Sequence, residues 1–161
     1  MTAWDATLAG GLLGTIVLTT MLRAASELRL TRMDLPFLVG TAFSERRDRA
    51  KALGYIVHFV LGMVFAFPYA WVFRATGHAG VLTGAALGLL HAAFVSTTLV
   101  NVILPLVHPR IGTPDTAADG IPLLEPPGFL MLNYGHRTFI VTLAAHAGYG
   151  AIVGWACANM I

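Results

Sequence analysis

Residues 54–73 read GYIVHFVLGMVFAFPYAWVF, an uninterrupted apolar run without one charged side chain, bounded by Lys51 and Arg74. A helix rises about 1.5 Å per residue, so a run of this length matches the roughly 30 Å hydrocarbon core of a bilayer. The whole chain supports that reading, with 57% apolar and only 11% charged residues, where a soluble domain carries about 25% charged. In lipid the backbone has to satisfy its own hydrogen bonds, so an apolar run of this length is a helix. The run also carries an imidazole, His58, four residues after Gly54 and four before Gly62.

Three further runs complete a set of predicted spans at about 7–22, 52–73, 79–107 and 138–160. The 161 residues form one transmembrane domain, an all-α integral membrane four-helix bundle. The first span is short unless it begins near Ala3, which puts Asp5 at the headgroups. A cleavable leader is its rival, but MTAWD lacks a basic start, so the span is read as retained. The third is longer than needed and ends near Pro105, which predicts tilt or a break in its last turn.

Loop charge orients the bundle, because short cytoplasmic loops hold the excess of Lys and Arg. Seven of the ten basic residues, Arg23, Arg29, Arg32, Arg46, Arg47, Arg49 and Lys51, lie between the first two spans. Arg110 and Arg137 fall on the same side, leaving Arg74 alone on the other. Both termini are therefore expected outside, with cytoplasmic loops at 23–51 and 108–137. In the first loop, the apolar run Leu35–Phe43 is too short to cross and suits the interface, with Arg46, Arg47, Arg49 and Lys51 meeting anionic headgroups. In the second, Pro105, Pro109, Pro114, Pro122, Pro126 and Pro127 exclude long helix and predict an irregular docking surface. His108 and His136 read as solvated or interfacial loop residues.

Two short matches suggest one two-span hairpin used twice. LAGGLLG (8–14) aligns with LTGAALG (82–88), and HFVLG (58–62) with HAGYG (146–150). Such halves would be parallel two-helix repeats about an axis along the membrane normal. Glycines four or eight apart also allow close helix approach: Gly10 and Gly14, Gly54 and Gly62, Gly80, Gly84 and Gly88, and Gly150 and Gly154. His58, His91 and His146 fall on these faces and so point at protein rather than lipid. The small-residue faces exceed what one four-helix bundle needs.

Three roles fit an inward imidazole. It can hydrogen-bond between helices, ligate a haem or a chlorophyll-type pigment with glycine admitting the flat ring, or line an ion or proton path. The last finds no deep Asp, Glu, Lys or Arg to work with. Ser96, Thr97, Thr98 and Asn101 form a polar patch low in the third span, expected to bond between helices. Cys157 excludes an internal disulfide and reads as a small packing residue. GAALG and GGLLG lack the strand and helix start of a dinucleotide loop. No cysteine pair suits zinc, no carboxylate pair suits acid–base work, and the basic residues form no groove for nucleic acid.

Gly54, His58, Phe59 and Gly62 in one span, His146, Tyr149, Gly150 and Gly154 in the last, and Met33, Asp34 and Pro36 in the first loop resemble an uncharacterised family of small bacterial four-span membrane proteins. The resemblance covers most of the chain, with short motifs. It implies a four-span fold in a bacterial cytoplasmic membrane and brings no activity. The expected function is a non-catalytic accessory or structural subunit packed against a larger membrane complex, respiratory or photosynthetic, with lipids and other transmembrane helices, or further copies of itself, as partners. The alternatives are a haem- or chlorophyll-binding protein using His58, His146 and His91, with no cofactor as the default, and a small channel or transporter.

Overall fold

A computed structural model of the chain describes residues 2–111 and 124–158. Every regular element among them is helical: α1 (Ala3–Glu27), α2 (Leu35–Gly40), α3 (Arg47–Thr76), α4 (Val81–Phe94), a π-helical stretch (Val95–Ile103), α5 (Leu104–Val107), a 3-10 turn (Phe129–Tyr134) and α6 (Thr138–Cys157). Four stretches are long and apolar enough to cross a membrane: α1, α3, the continuous run Val81–Val107, and α6. The protein is an all-α integral membrane bundle whose long helices alternate in direction.

The first two spanning helices, α1 and α3, outrun their apolar cores. Asp5 Oδ2 accepts from Thr2 N at 2.7 Å and Thr2 Oγ1 accepts from Asp5 N at 3.2 Å, a capping box that starts α1 at the second residue. An Arg23–Glu27 ion pair one turn apart extends its other end. α3 stops at Gly77, whose φ of 68° is a left-handed cap that glycine adopts without steric cost. Pro68 lies inside α3 without ending it; within a bundle, neighbouring groups satisfy the carbonyl that proline frees.

In the third span the expected break near Pro105 is replaced by a widening before it. A proline ring clashes with the carbonyl four residues back, and the wide turns of Val95–Ile103 provide slack where that carbonyl lies. The polar patch serves this distortion. Ser96 Oγ donates to Ala92 O at 2.5 Å, Thr97 Oγ1 to Ala93 O at 2.7 Å, and Asn101 Nδ2 to Ser96 O at 2.8 Å. The expected bonds between helices are thus bonds within one helix, because the loosened ladder offers nearer acceptors.

α6 lies between α1 and α4. On one flank Gly84 meets the backbone of Gly150 and Gly154, and Gly88 meets the carbonyl of His146. On the other, a carbon added at Gly10 would sit 2.9 Å from Ala156 Cβ, and one at Gly14 would sit 3.0 Å from Tyr149 O. α1 also packs on α3, where Gly11 abuts Met63 and Gly62 abuts Thr15. A twofold relating the hairpins would make the α1–α6 and α3–α4 contacts equivalent. Here α1 and α6 form a close seam, whereas α3 reaches α4 through side chains, Phe65 and Tyr69 against His91. The glycine faces, which the sequence suggested were in surplus, are used within the chain.

The end of the bundle that holds both long connections carries a packed cap. α2 lies on α3, with Gly40 against the Ala50 backbone and Gly54 against the Pro36 carbonyl. Leu38 enters a second core with Met33, Val95, Val100, Ile111 and Met131. The two connections are tied together: Arg32 N donates to Tyr134 O at 2.8 Å, Thr31 and Thr138 share a hydroxyl bond at 2.8 Å, and Arg110 Nη2 donates to Glu45 Oε1 at 3.0 Å. The described parts of the proline-rich connection are therefore ordered against the first loop, with Pro127 fully buried. Pro114 and Pro122 lie outside the described residues.

Candidate functional site

The three span histidines all face protein, but not alike. His58 on α3 is buried, and its Nε2 lies 3.1 Å from Thr19 Oγ1 on α1. His146 on α6 is buried too, and its Nδ1 donates to Thr142 O one turn back at 2.9 Å. That bond leaves Nε2 as the unprotonated nitrogen of the neutral ring. His91 on α4 is half-buried, shares a 3.2 Å hydrogen bond through Nδ1 with Tyr69 Oη, and stacks on Phe65 with centroids 4.5 Å apart.

His91 and His146 meet edge to face, with centroids 4.9 Å apart. Tyr69 and Tyr149 close the group at 5.5 Å, and Tyr149 Oη donates to Gly62 O at 2.5 Å. The cluster thus crosses α3, α4 and α6 where no backbone seam joins α3 to α4. It locks three helices through oriented polar tips on apolar bodies. Two imidazoles in direct contact leave no gap for a macrocycle between them, so a pair of axial ligands from His91 and His146 does not fit. No group of three His, Cys, Asp or Glu side chains among the described residues is placed to hold a metal ion.

Of the glycines, Gly10, Gly14, Gly62, Gly84, Gly88, Gly150 and Gly154 lie on seams between spans, and Gly54 receives α2. Gly80 differs: it caps α4, has open space at its own Cβ position, and offers its carbonyl to Gly154. The basic residues gather at the foot of α3. Arg46 and Arg49 are exposed, the Arg47 guanidinium lies 5.9 Å above the Phe37 ring, and Lys51 is 3.7 Å from Asp34.

Thr19 and Phe65 join the site without a sequence signal, since neither belongs to a motif and each is recruited by a neighbouring helix. His108 is the clearest correction. Expected to be solvated or interfacial, it is 3% exposed, with Nε2 donating to Leu38 O at 3.0 Å and lying 3.2 Å from Thr41 Oγ1. Its Nδ1 accepts from Arg110 N at 3.1 Å. The cause is α2, which folds back and covers the ring. His136 is exposed, as expected.

The His58–Thr19 bond is measurable. A double-mutant cycle with Thr19→Val and His58→Leu should give a coupling of about 0.6 to 2 kcal/mol in a detergent unfolding titration. Additive single effects would mean the two side chains do not hold α1 to α3.

No family model, curated protein or solved structure matches the chain, so the likeness of its second- and last-span motifs to small four-span membrane proteins stays a resemblance.

Proposed function

We propose that the chain is a non-catalytic accessory subunit of a larger assembly, respiratory or photosynthetic, in a bacterial cytoplasmic membrane, with both termini outside and the cap in the cytoplasm. The loop charges support that orientation, and the resemblance to small bacterial membrane proteins supports the choice of membrane. The observation that carries the subunit reading is the cap. Two connections are held in one body by the Arg32–Tyr134 backbone bond and by side-chain bonds from Arg110 to Glu45 and from His108 to Leu38, and it presents Phe43, Phe129 and Leu132 at 62%, 69% and 47% exposure beside Arg46 and Arg49. Exposed apolar points on a rigid polar surface are how a docking face is built. The tightly closed glycine seams among the described residues support a scaffold rather than a passage.

The test is purification of the tagged chain in mild detergent with its bound partners. Phe43→Asp combined with Phe129→Asp should lower the yield of the co-purifying complex more than about tenfold, as loss of anchor residues does, while helix content and thermal stability stay unchanged. Undiminished recovery by this variant, or a wild-type chain that elutes alone, contradicts the proposal.

A second reading rests on His91, whose ring is the most accessible of the three. One haem or chlorophyll-type ring could take a single imidazole from the α3–α4 side. A Soret or bacteriochlorophyll band in the purified protein, lost in His91→Ala or His58→Ala, would favour this reading over the scaffold.

A further inference from the structure

The opposite end of the bundle from the cap holds a half-enclosed groove of about 480 Å³, bounded by the start of α1 and the ends of α3 and α6. Phe67, Ala70, Trp71 and Arg74 line it from α3 at helical spacings of three and four, so they form one stripe along that helix. Arg74 is at the mouth, less than a turn from the end of α3, Trp71 comes next, and Phe67 is deepest. Trp4 of α1 faces Phe67 with ring centroids 5.6 Å apart, closing the apolar end. The floor is made of small side chains, among them Ala3, Ala70 and Cys157.

Polarity is graded along this groove. A permanent cation stands at the helix end, Trp71 at 72% exposure follows one turn in, and a mainly apolar slot walled by Phe67 and Trp4, with the Thr7 hydroxyl among its lining, lies below. Arg74 is the only Lys or Arg between the second and third spans. Among the described residues no carboxylate pairs with it. Asp5, the nearest acid in sequence to the α1 wall, has its carboxylate on Thr2 N and does not line the groove. A cation without a partner above an apolar slot matches a molecule with an anionic head and a hydrocarbon tail.

We propose that this groove binds one anionic glycerophospholipid of the leaflet opposite the cap, its phosphate on Arg74 and one acyl chain between Trp71, Phe67 and Trp4. Arginine suits this role because its planar fork grips two phosphate oxygens together. A zwitterionic lipid enters the same slot with its own cation close to Arg74, so the site discriminates by headgroup charge. One basic residue gives about a fivefold preference for the anionic lipid. The lipid fills the cleft between α1 and α3 and so fastens the end of the bundle that no cap covers. The site is separate from Arg46, Arg47, Arg49 and Lys51, which lie at the other end of α3.

The experiment uses the full chain in nanodiscs and reads quenching of its own tryptophans by lipids with brominated acyl chains. Trp155→Phe removes the one tryptophan outside the groove. Brominated phosphatidylglycerol should quench Trp4 and Trp71 saturably, with its midpoint at about fivefold lower mole fraction than brominated phosphatidylcholine. Arg74→Gln should merge the two curves, Arg74→Lys should keep most of the preference, and Ala70→Phe, which fills the slot, should weaken quenching by both lipids. Circular dichroism on each variant verifies the fold. Coincident curves for the two lipids in the parent protein overturn the proposal. So does a preference that survives Arg74→Gln in a folded variant.

Discussion

Gly84→Ala should destabilise the bundle by about 3 kcal/mol, the upper end of what overpacking usually costs. The added carbon would collide with the Gly150 carbonyl, and the other neighbours in reach are also backbone, so no rotamer change relieves it. The α4–α6 seam must then separate along its length. Gly148→Ala is the matched control on α6. There the new carbon would meet the Met21 sulfur at 3.1 Å and Val17 Cγ1 at 3.5 Å, both ends of side chains that can shift. Replacing glycine inside a helix gains up to about 1 kcal/mol in propensity, so this variant should be neutral or slightly stabilised. Thermal unfolding in detergent measures both; equal stability of the two variants would mean that the seam is not closed.

The second large effect belongs to His108. His108→Ala removes a partner from Arg110 N, Leu38 O and Thr41 Oγ1 and leaves a cavity under α2, a loss of about 2 to 4 kcal/mol in the cap. Amide exchange should accelerate in residues 35–43 and around Arg110 while α6 stays protected. Burial, followed by the nearby Arg110 charge, holds the imidazole below its ordinary value, although its bond to Leu38 O works the other way. The folded cap thus resists a proton that the opened one accepts. Its stability from this group is full above about pH 6.5 and falls as pH drops through that value. Protection factors in the cap, referred to the slower intrinsic exchange at lower pH, should therefore fall on acidification, and His108→Ala should remove that part of the pH dependence.

The spans were legible because a bilayer imposes one blunt requirement, and the four apolar runs meet it. Helix ends were less so: hydropathy marks where lipid begins, whereas α1 starts where Thr2 and Asp5 cap each other. Helical spacing placed His58, His91 and His146 on inward faces, since direction is a local property. It could not name their partners, because Thr19, Tyr69 and Phe65 come from other helices. Glycine spacing announced close approach in the same way, but not that α6 would receive both α1 and α4. His108 was misread for a related reason. A histidine among prolines carries no periodic pattern, and its burial depends on a fold-back of α2 that itself depends on Gly40 meeting Ala50 across the loop.

Four crossings with the cap on one side underlie the whole account, and cysteine labelling tests them most directly. In a Cys157→Ser background, Arg46→Cys, His78→Cys and His136→Cys place single thiols at the first cap loop, the opposite turn and the second cap loop. With a membrane-impermeant reagent, intact cells should label position 78 alone, and positions 46 and 136 should react only after permeabilisation. Labelling of 46 and 78 from the same side, or of 46 and 136 from opposite sides, would contradict the arrangement of spans.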